Sequence, residues 1–384
     1  MCRQVHSIKG TGTFDTMNLP AHRERSFGPW MGSVQNPLII AGPCSAESLE
    51  QVLETAQALK SEGHTQLFRA GVWKPRTRPG QFEGAGYNAL EWLQTMRQEV
   101  GLPFVIEVAN ADHVEKALAV QADAVWIGAR TTVNPFYVQE IAEALRGTRI
   151  PVLVKNPIHA DLGLWLGALE RLDKEGLTDL AAVHRGFFSS FAAPYRNEPR
   201  WEMSFELRRQ APHIPIICDP SHIAGDRRLV EHVAQIAMDI QMDGLMVEVH
   251  PDPEQALSDA AQQITPTTLA SLWRTLEANA PKDVALQEVI DAERLKLDAV
   301  DQEMVHLLRQ RMDIVDALGQ LKVSHGAGIF QMDRWFDLLQ KRGLQAESLD
   351  LNRAFIEELF QVVHKYSVEH QVGVYRATRQ NREE

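Results

Sequence analysis

Between residues 38 and 280, short apolar runs alternate with longer segments whose apolar positions return every three or four residues. The runs read LIIAGPC (38–44), LFRAGV (67–72), FVIEVA (104–109), AVWIGA (124–129), PVLVKN (151–156), AAVHRG (181–186), IPIICDP (214–220) and GLMVEVHP (244–251). Each is nearly continuous in apolar residues, the mark of a strand covered on both faces. The segments between them, SLEQVLETAQALKSEG and VEKALAVQA among them, carry the period of amphipathic helices. Eight such units predict an α/β fold, a (β/α)8 TIM barrel, whose usual length is about 250 residues. An open doubly wound sheet would instead place a glycine-rich phosphate turn after its first strand, and AGPCSAES is a poor one. The polar, irregular residues 1–37 read as an N-terminal extension to a barrel at 38–280.

After Trp273 the rhythm changes. A linker at 281–288 leads into an all-α domain at 289–373, followed by a polar C-terminal tail at 374–384. From Asp291 to His325 there is no proline and a single glycine, which predicts one helix about 50 Å long. Its apolar stripe runs Leu297, Val300, Met304, Leu307, Val315 and Leu318. Further helices are expected near 330–342 and 351–373. A first helix of that length cannot bury its stripe within a small three-helix unit, so the domain is expected to form a homodimer.

Composition narrows the function. A formal charge of −12 argues against nucleic acid or an anionic membrane as the main partner. No apolar stretch approaches the roughly 18 residues of a membrane span. The N-terminal MCRQVHSIKG lacks the apolar centre of a signal peptide. Cys2, Cys44 and Cys218 make no disulfide framework, which fits a cytoplasmic protein.

In such barrels the chemistry sits where the strands end. Cys44 closes the first run, Arg69 lies in the second, and Lys74, Arg76, Thr77 and Arg78 follow it. Arg130, Lys155 and Arg185 come at the ends of the fourth, fifth and sixth runs, His222 after the seventh, Glu248 in the eighth and Asp259 beyond it. Each has an ordinary reading alone: a small core thiol, a loop imidazole, a strand-end ion pair, a helix cap. Together at one rim, Cys44, His222, Glu248 and Asp259 form a mixed donor set suited to one divalent transition metal, with Mn, Fe, Co and Zn all accepted. The cations Arg69, Lys74, Arg76, Arg130, Lys155 and Arg185 gather positive charge in an acidic chain, which calls for phosphate or carboxylate ligands. Asp219, Ser221 and His222 make no serine triad, because sequence neighbours cannot fold into one and no G-x-S-x-G elbow is present.

The motifs LIIAGPCSAES, FRAGVWKPRT, IGAR, DPSH and GLMVEVHPDPEQALSD resemble 3-deoxy-D-arabino-heptulosonate 7-phosphate (DAHP) synthase, of the subtype related to the eight-carbon 3-deoxy-D-manno-octulosonate (KDO) 8-phosphate synthases. The resemblance implies condensation of phosphoenolpyruvate with erythrose 4-phosphate and release of phosphate. It implies metal ligation by Cys44, His222, Glu248 and Asp259. Arg69, Lys74, Arg130, Lys155 and Arg185 match the phosphoenolpyruvate positions, and Arg76 and Thr77 the aldose phosphate positions. Lys74, a lysine among cations, is the proton-transfer candidate. Lys155 is followed by Asn-Pro, Arg78 stands in place of a small polar residue, and HRG replaces the commoner ERG. The KPRT tetrapeptide separates this subtype from the eight-carbon synthases, which use arabinose 5-phosphate and are the alternative for the barrel.

On the long helix Arg294, Arg311 and Lys322 share the apolar stripe, and a charge on a buried face needs a counterpart. Their stems can lie along the core with the heads in water, or the bundle can be built around a dianion. ERLKLDAVDQEMVHLLRQR, GQLK, DR and SVEHQ resemble the all-helical (AroQ-type) dimeric chorismate mutases. That resemblance implies chorismate as substrate and prephenate as product. Arg294 from the partner chain, Arg311 and Arg334 would hold the carboxylates, Lys322 and Gln371 the ether oxygen, and Ser367 would line the site. Gln331 and Trp335 stand where acidic residues usually touch the ring hydroxyl, so the alternative is a helical module that senses chorismate or prephenate and regulates the barrel by feedback.

Overall fold

The structure is a computed structural model and describes residues 27–30, 37–73, 82–189, 194–278, 284–328 and 332–383. The chain divides into two units, Met1–Ala280 and Pro281–Glu384.

In the first unit eight strands form a closed parallel barrel in sequence order. They are β1 (Leu38–Gly42), β2 (Leu67–Ala70), β3 (Phe104–Val108), β4 (Ala124–Ile127), β5 (Val152–Lys155), β6 (Leu180–His184), β7 (Ile216–Cys218) and β8 (Gly244–Glu248). Pairing of β8 with β1, from Leu38 with Gly244 to Gly42 with Glu248, closes the cylinder. This is the fold expected from the alternating pattern.

Side-chain alternation sorts the apolar residues into two cores. Ile39, Phe68, Ile106, Val125, Val154 and Val247 face outward to the helices. Leu38, Ile40, Leu67, Val105, Ala124, Leu153, Val183, Ile217 and Met246 fill the interior. Phe27 belongs to this inner core and is fully buried, with Trp30 packed against it. The backbone N–H of Gly28 donates to both Asp179 carboxylate oxygens at 2.9 Å. Residues 27–30 therefore pack onto the barrel, where the aromatic ring of Phe27 occupies interior space.

The strands are shorter than the apolar runs. β1 stops at Gly42 and β6 at His184, so Cys44 and Arg185 sit in the loops beyond, where the sequence pattern had them closing strands. Short caps start the helices at that rim. Asn110, Asp161 and Asp219 each accept a backbone N–H three residues on.

The second unit consists of three helices, Val284–Ser324, Met332–Ser348 and Arg353–Glu383. Both outer helices run longer than expected. Val284–Ile290 holds no helix breaker, and the residues expected as a tail after 373 continue the last helix to Glu383 because VYRATRQNRE contains neither proline nor glycine. The first and middle helices both pack on the last. Val315 is 5% exposed, whereas Leu297, Val300, Met304 and Leu307 are 45–62% exposed. Among the described residues no helix is long and apolar enough to cross a membrane.

Candidate active site

The inward positions of the strands lead directly to the site. Two residues beyond each interior apolar side chain, the same face presents Gly42, Arg69, Glu107, Trp126, Lys155, Arg185, Asp219 and Glu248. A polar ring thus lies immediately above the packed interior. Gly42 leaves room for it, since a Cβ there would stand 2.2 Å from the Arg69 carbonyl oxygen.

Three of the four expected metal donors converge. One ligand atom from each of Cys44, Glu248 and Asp259 lies within 4.8 Å of the others. Cys44 Sγ is 3.5 Å from Asp259 Oδ2. His222 stands beside this set rather than inside it, with Nε2 3.8 Å from Glu248 Oε1. The chemistry of the set, one thiol, two carboxylates and an adjoining imidazole, fits a divalent transition metal. Arg69 Nη2 lies 3.1 Å from Glu248 Oε1 and Arg196 Nη1 3.1 Å from Asp259 Oδ1, so cations already neutralise both carboxylates.

Local structure aims the donors. The Cys44 carbonyl accepts from Gly71 N–H, and Ala46 N–H donates to the Gly71 carbonyl, tying this loop to the end of β2. His222 lies on the one-turn helix Pro220–Ala224, which proline starts and Asp219 caps by accepting the His222 N–H at 3.0 Å. The other Asp219 oxygen is 2.8 Å from His222 Nδ1 and accepts from Lys155 Nζ at 2.7 Å. That leaves Nε2 of the imidazole toward Glu248, the arrangement by which a carboxylate orients a metal-binding histidine. Burial alone would raise the Asp219 carboxyl, but His222, Lys155 and Arg69 hold it well below the usual range. Burial lowers the pKa of His222 and of Lys155, with Asp219 opposing both shifts.

Beside the metal donors is a pocket whose lining includes Glu107, Trp126, Arg130, Lys155, Arg185, Arg196, His222 and Asp259. Its most constrained cation adjoins it. Arg69 is 1% exposed, and its Nε and Nη1 have no hydrogen-bond partner among the described residues. Burial opposes the charge of Arg69, yet Glu248, Asp219 and Cys44 overcome it and raise the pKa. Its guanidinium carbon lies 5.1 Å from the Trp126 ring centre and Lys155 Nζ 5.7 Å from it, so the indole is shared by two cations. Burial lowers Arg185 to about 10, and its Nη1 donates to Asn197 Oδ1 at 2.8 Å. Asn156, where the sequence departs from the family pattern, is buried and orders this corner. Its Oδ1 accepts Arg185 N–H at 2.7 Å, and its Nδ2 donates to the Gly186 carbonyl at 2.8 Å. A Cβ at Gly128 would meet Glu107 Oε1 at 2.0 Å, so any side chain there would displace the Glu107 carboxylate from its present place. Lys74, Arg76, Thr77 and Arg78 lie outside the described residues.

In the helical unit the structure joins four of the expected residues as two pairs. Arg311 Nη1 donates to Ser367 Oγ, and Lys322 Nζ donates to Gln371 Oε1 at 3.2 Å. Ser367 and Gln371 are 3% and 8% exposed, one helical turn apart on the last helix. Arg334 instead pairs with Asp337 at 3.0 Å and is exposed, as is Arg294. Gln331 lies outside the described residues. Trp335 stacks on His364, ring centres 4.3 Å apart. Burial, then Arg311 and Lys322, lower the pKa of His364, which keeps this ring neutral beside two cations.

Sequence reasoning passed over Glu107, Trp126, Asp219 and Arg196. The first three were legible by parity, each falling two residues beyond an inward apolar residue of its strand. Arg196 carries no such signal, since it reaches the pocket from the long loop after β6.

A closed barrel that sets a thiol, carboxylates and an imidazole next to buried guanidinium and ammonium groups has the makings of an enzyme site for anionic ligands, with a donor set that could hold a divalent cation. Residues 21–281 match the DAHP synthetase I family, and the chain belongs to that family. Residues 293–372 match chorismate mutase type II. The phospho-2-dehydro-3-deoxyheptonate aldolase of Thermotoga maritima is 35% identical over 226 residues, 59% of this chain and 64% of that protein's length. A crystal structure of the T. maritima DAHP synthase superposes with a TM-score of 0.58 at 33% identity, covering 63% of this chain and 69% of that one. The 2-dehydro-3-deoxyphosphooctonate aldolase of Magnetococcus marinus is 28% identical, over 62% of this chain and 86% of that protein.

Proposed function

We propose that the chain is a bifunctional enzyme of the shikimate pathway, a 3-deoxy-7-phosphoheptulonate synthase joined to a chorismate mutase. In the barrel, C3 of phosphoenolpyruvate bonds to the aldehyde carbon of erythrose 4-phosphate, water adds at C2, and inorganic phosphate leaves. The carrying observation is Arg69, a buried guanidinium with two nitrogens, Nε and Nη1, that have no hydrogen-bond partner among the described residues, beside a metal-type donor set. Glu248 matches its charge at Nη2, but buried donors left over are costly unless a further acceptor, such as an anionic ligand, completes them. Arg69, Arg130, Lys155 and Arg185, with Lys74, are assigned to phosphoenolpyruvate, and Arg76 and Thr77 to the aldose phosphate. The Trp126 ring lies within cation–π range of both Arg69 and Lys155 and gives them an apolar wall. Asp219 neutralises Lys155 while holding the His222 ring in place.

A divalent metal held by Cys44, His222, Glu248 and Asp259 would supply Lewis-acid polarisation of the aldehyde oxygen. Lys74 is assigned the proton transfer.

In the helical unit, Arg311 and Arg334 with Arg294 of a second copy would bind the carboxylates of chorismate. Lys322 and Gln371 would stabilise charge on the ether oxygen, and Ser367 would line the site. No nucleophile is needed, because fixing the reactive conformer and matching developing charge suffice. The exposed stripe from Leu297 to Leu307 supports a homodimer through this unit. The stacked Trp335–His364 pair supports a second reading, a weak mutase that serves mainly as a sensor of chorismate or prephenate. We place the enzyme in the cytoplasm.

The test assays product formation from phosphoenolpyruvate with erythrose 4-phosphate or arabinose 5-phosphate, with and without chelator. Turnover with the four-carbon aldose alone, lost on chelation and regained with metal, is expected. Preference for arabinose 5-phosphate would make the barrel an eight-carbon synthase. Chorismate consumption by the full chain tests the second unit, and inhibition of the synthase by prephenate tests feedback.

A further inference from the structure

The loop after β8 returns to the rim as a short turn, Ala260–Gln262, and then becomes extended at Gln263. That change of backbone sends two consecutive glutamines in different directions, and both are fully buried. Gln262 Nε2 donates to Glu248 Oε2 at 2.7 Å, while its Oε1 accepts from Arg196 Nη1 at 2.8 Å. The same Arg196 nitrogen contacts Asp259 Oδ1. Gln263 Oε1 accepts the Cys44 N–H at 3.0 Å, and its Nε2 donates to the Ser258 carbonyl at 2.8 Å. Ser258 and Ser45 share a 2.6 Å hydroxyl contact, which joins the neighbours of Asp259 and Cys44. Each converging donor is thereby reached from one dipeptide: Glu248 directly, Cys44 through its backbone, and Asp259 through Arg196 and Ser258.

We infer that Gln262 and Gln263 are positioning residues that clasp Cys44, Glu248 and Asp259 into one metal-binding geometry. The inference rests on the proposed metal site and adds to it the groups that shape it. An amide suits both tasks. Gln262 fixes Glu248 Oε2 as a hydrogen-bond acceptor without adding charge, while Oε1 faces Arg69 Nη2 at 3.1 Å and His222 Nε2 at 3.8 Å. Gln263 satisfies a buried backbone N–H that would otherwise be free to let the Cys44 loop shift. A carboxylate in either position would repel its acceptor, and an apolar residue would leave that acceptor or donor unmatched. Such outer partners set ligand orientation, and losing one costs about 10–100-fold in metal affinity.

The experiment titrates the metal-stripped full-length chain with Co2+, reading both equilibrium dialysis and the thiolate-to-cobalt charge-transfer absorption, for Gln262→Met, Gln263→Met and Cys44→Ala. Thermal midpoints are recorded in chelator and with Co2+. Weakening of Co2+ binding by about 10–100-fold in each glutamine variant is expected, with some loss of midpoint in chelator from the unmatched buried groups and a clearly larger loss with Co2+. Parent-like affinity in a folded Gln262→Met protein would overturn the inference. So would equal losses of midpoint with and without metal, the mark of a purely structural role. If Gln263→Met does not fold, Gln262→Met alone decides. Cys44→Ala separates the two levels: if it binds Co2+ as tightly as the parent, the metal site itself is misassigned, whereas loss of binding there with intact glutamine variants removes only the clasp.

Discussion

The two units hold their cations in opposite ways. In the barrel, Arg69 and Lys155 grow from strands whose register is set by closure of the sheet, and both are buried within one chain. In the helical unit, Arg311 and Lys322 are anchored by Ser367 and Gln371, but Arg294, Arg334 and the apolar stripe stand exposed. A closed cylinder therefore organises charge by backbone pairing alone. In the three-helix unit only part of the expected cation set is held within the chain, and the proposed second copy would supply the rest.

The largest effect is expected from removing the shared carboxylate. Asp219→Ala strands Lys155 and frees the His222 ring, and synthase turnover should fall by about a thousandfold or more. Asp219→Asn should recover part of that loss by still accepting from Lys155. Equal activity of the two variants would break the link between these residues. Next, Arg311→Ala should lower chorismate turnover by roughly a hundredfold while leaving the synthase reaction intact. Loss of both activities would mean the units are not independent chemical sites. Met304→Glu, on the exposed stripe, should make mutase activity depend on protein concentration and shift sedimentation toward the monomer. Unchanged sedimentation would refute dimerisation through that face. The smallest effect belongs to Trp335→Glu, which restores an acidic side chain beside Arg334 and should raise mutase turnover a few-fold; a decrease would favour Trp335 as a recognition element of a sensor.

The barrel was readable because its strands are buried on both faces and so stand out as apolar runs such as LIIAGPC and AVWIGA. Those runs overstate strand length, since Cys44 stays buried after pairing ends, and burial rather than pairing is what hydrophobicity reports. Glu107 was missed because its run closes on apolar Val108 and Ala109, and Asp219 was weighed only as a member of a serine triad, whereas the site is built from the inward face. Arg196 was not readable, because its loop converges on β8 and the Asp259 turn only in three dimensions. Helix ends were misjudged for a simpler reason: with no proline and few glycines near 284–290 and 374–383, nothing in the chain marks a stop. The pairing of Trp335 with His364 joins residues 29 apart on different helices, beyond the reach of helical periodicity.

The central claim is that Cys44 and its carboxylate neighbours share one cation with His222. X-ray absorption at the metal edge of the loaded protein tests it most directly. One sulfur neighbour at about 2.3 Å, with the remaining first-shell scatterers nitrogen and oxygen, is the predicted result for zinc, and Cys44→Ser should erase the sulfur contribution. A first shell of oxygen and nitrogen only, unchanged by that substitution, would contradict the account.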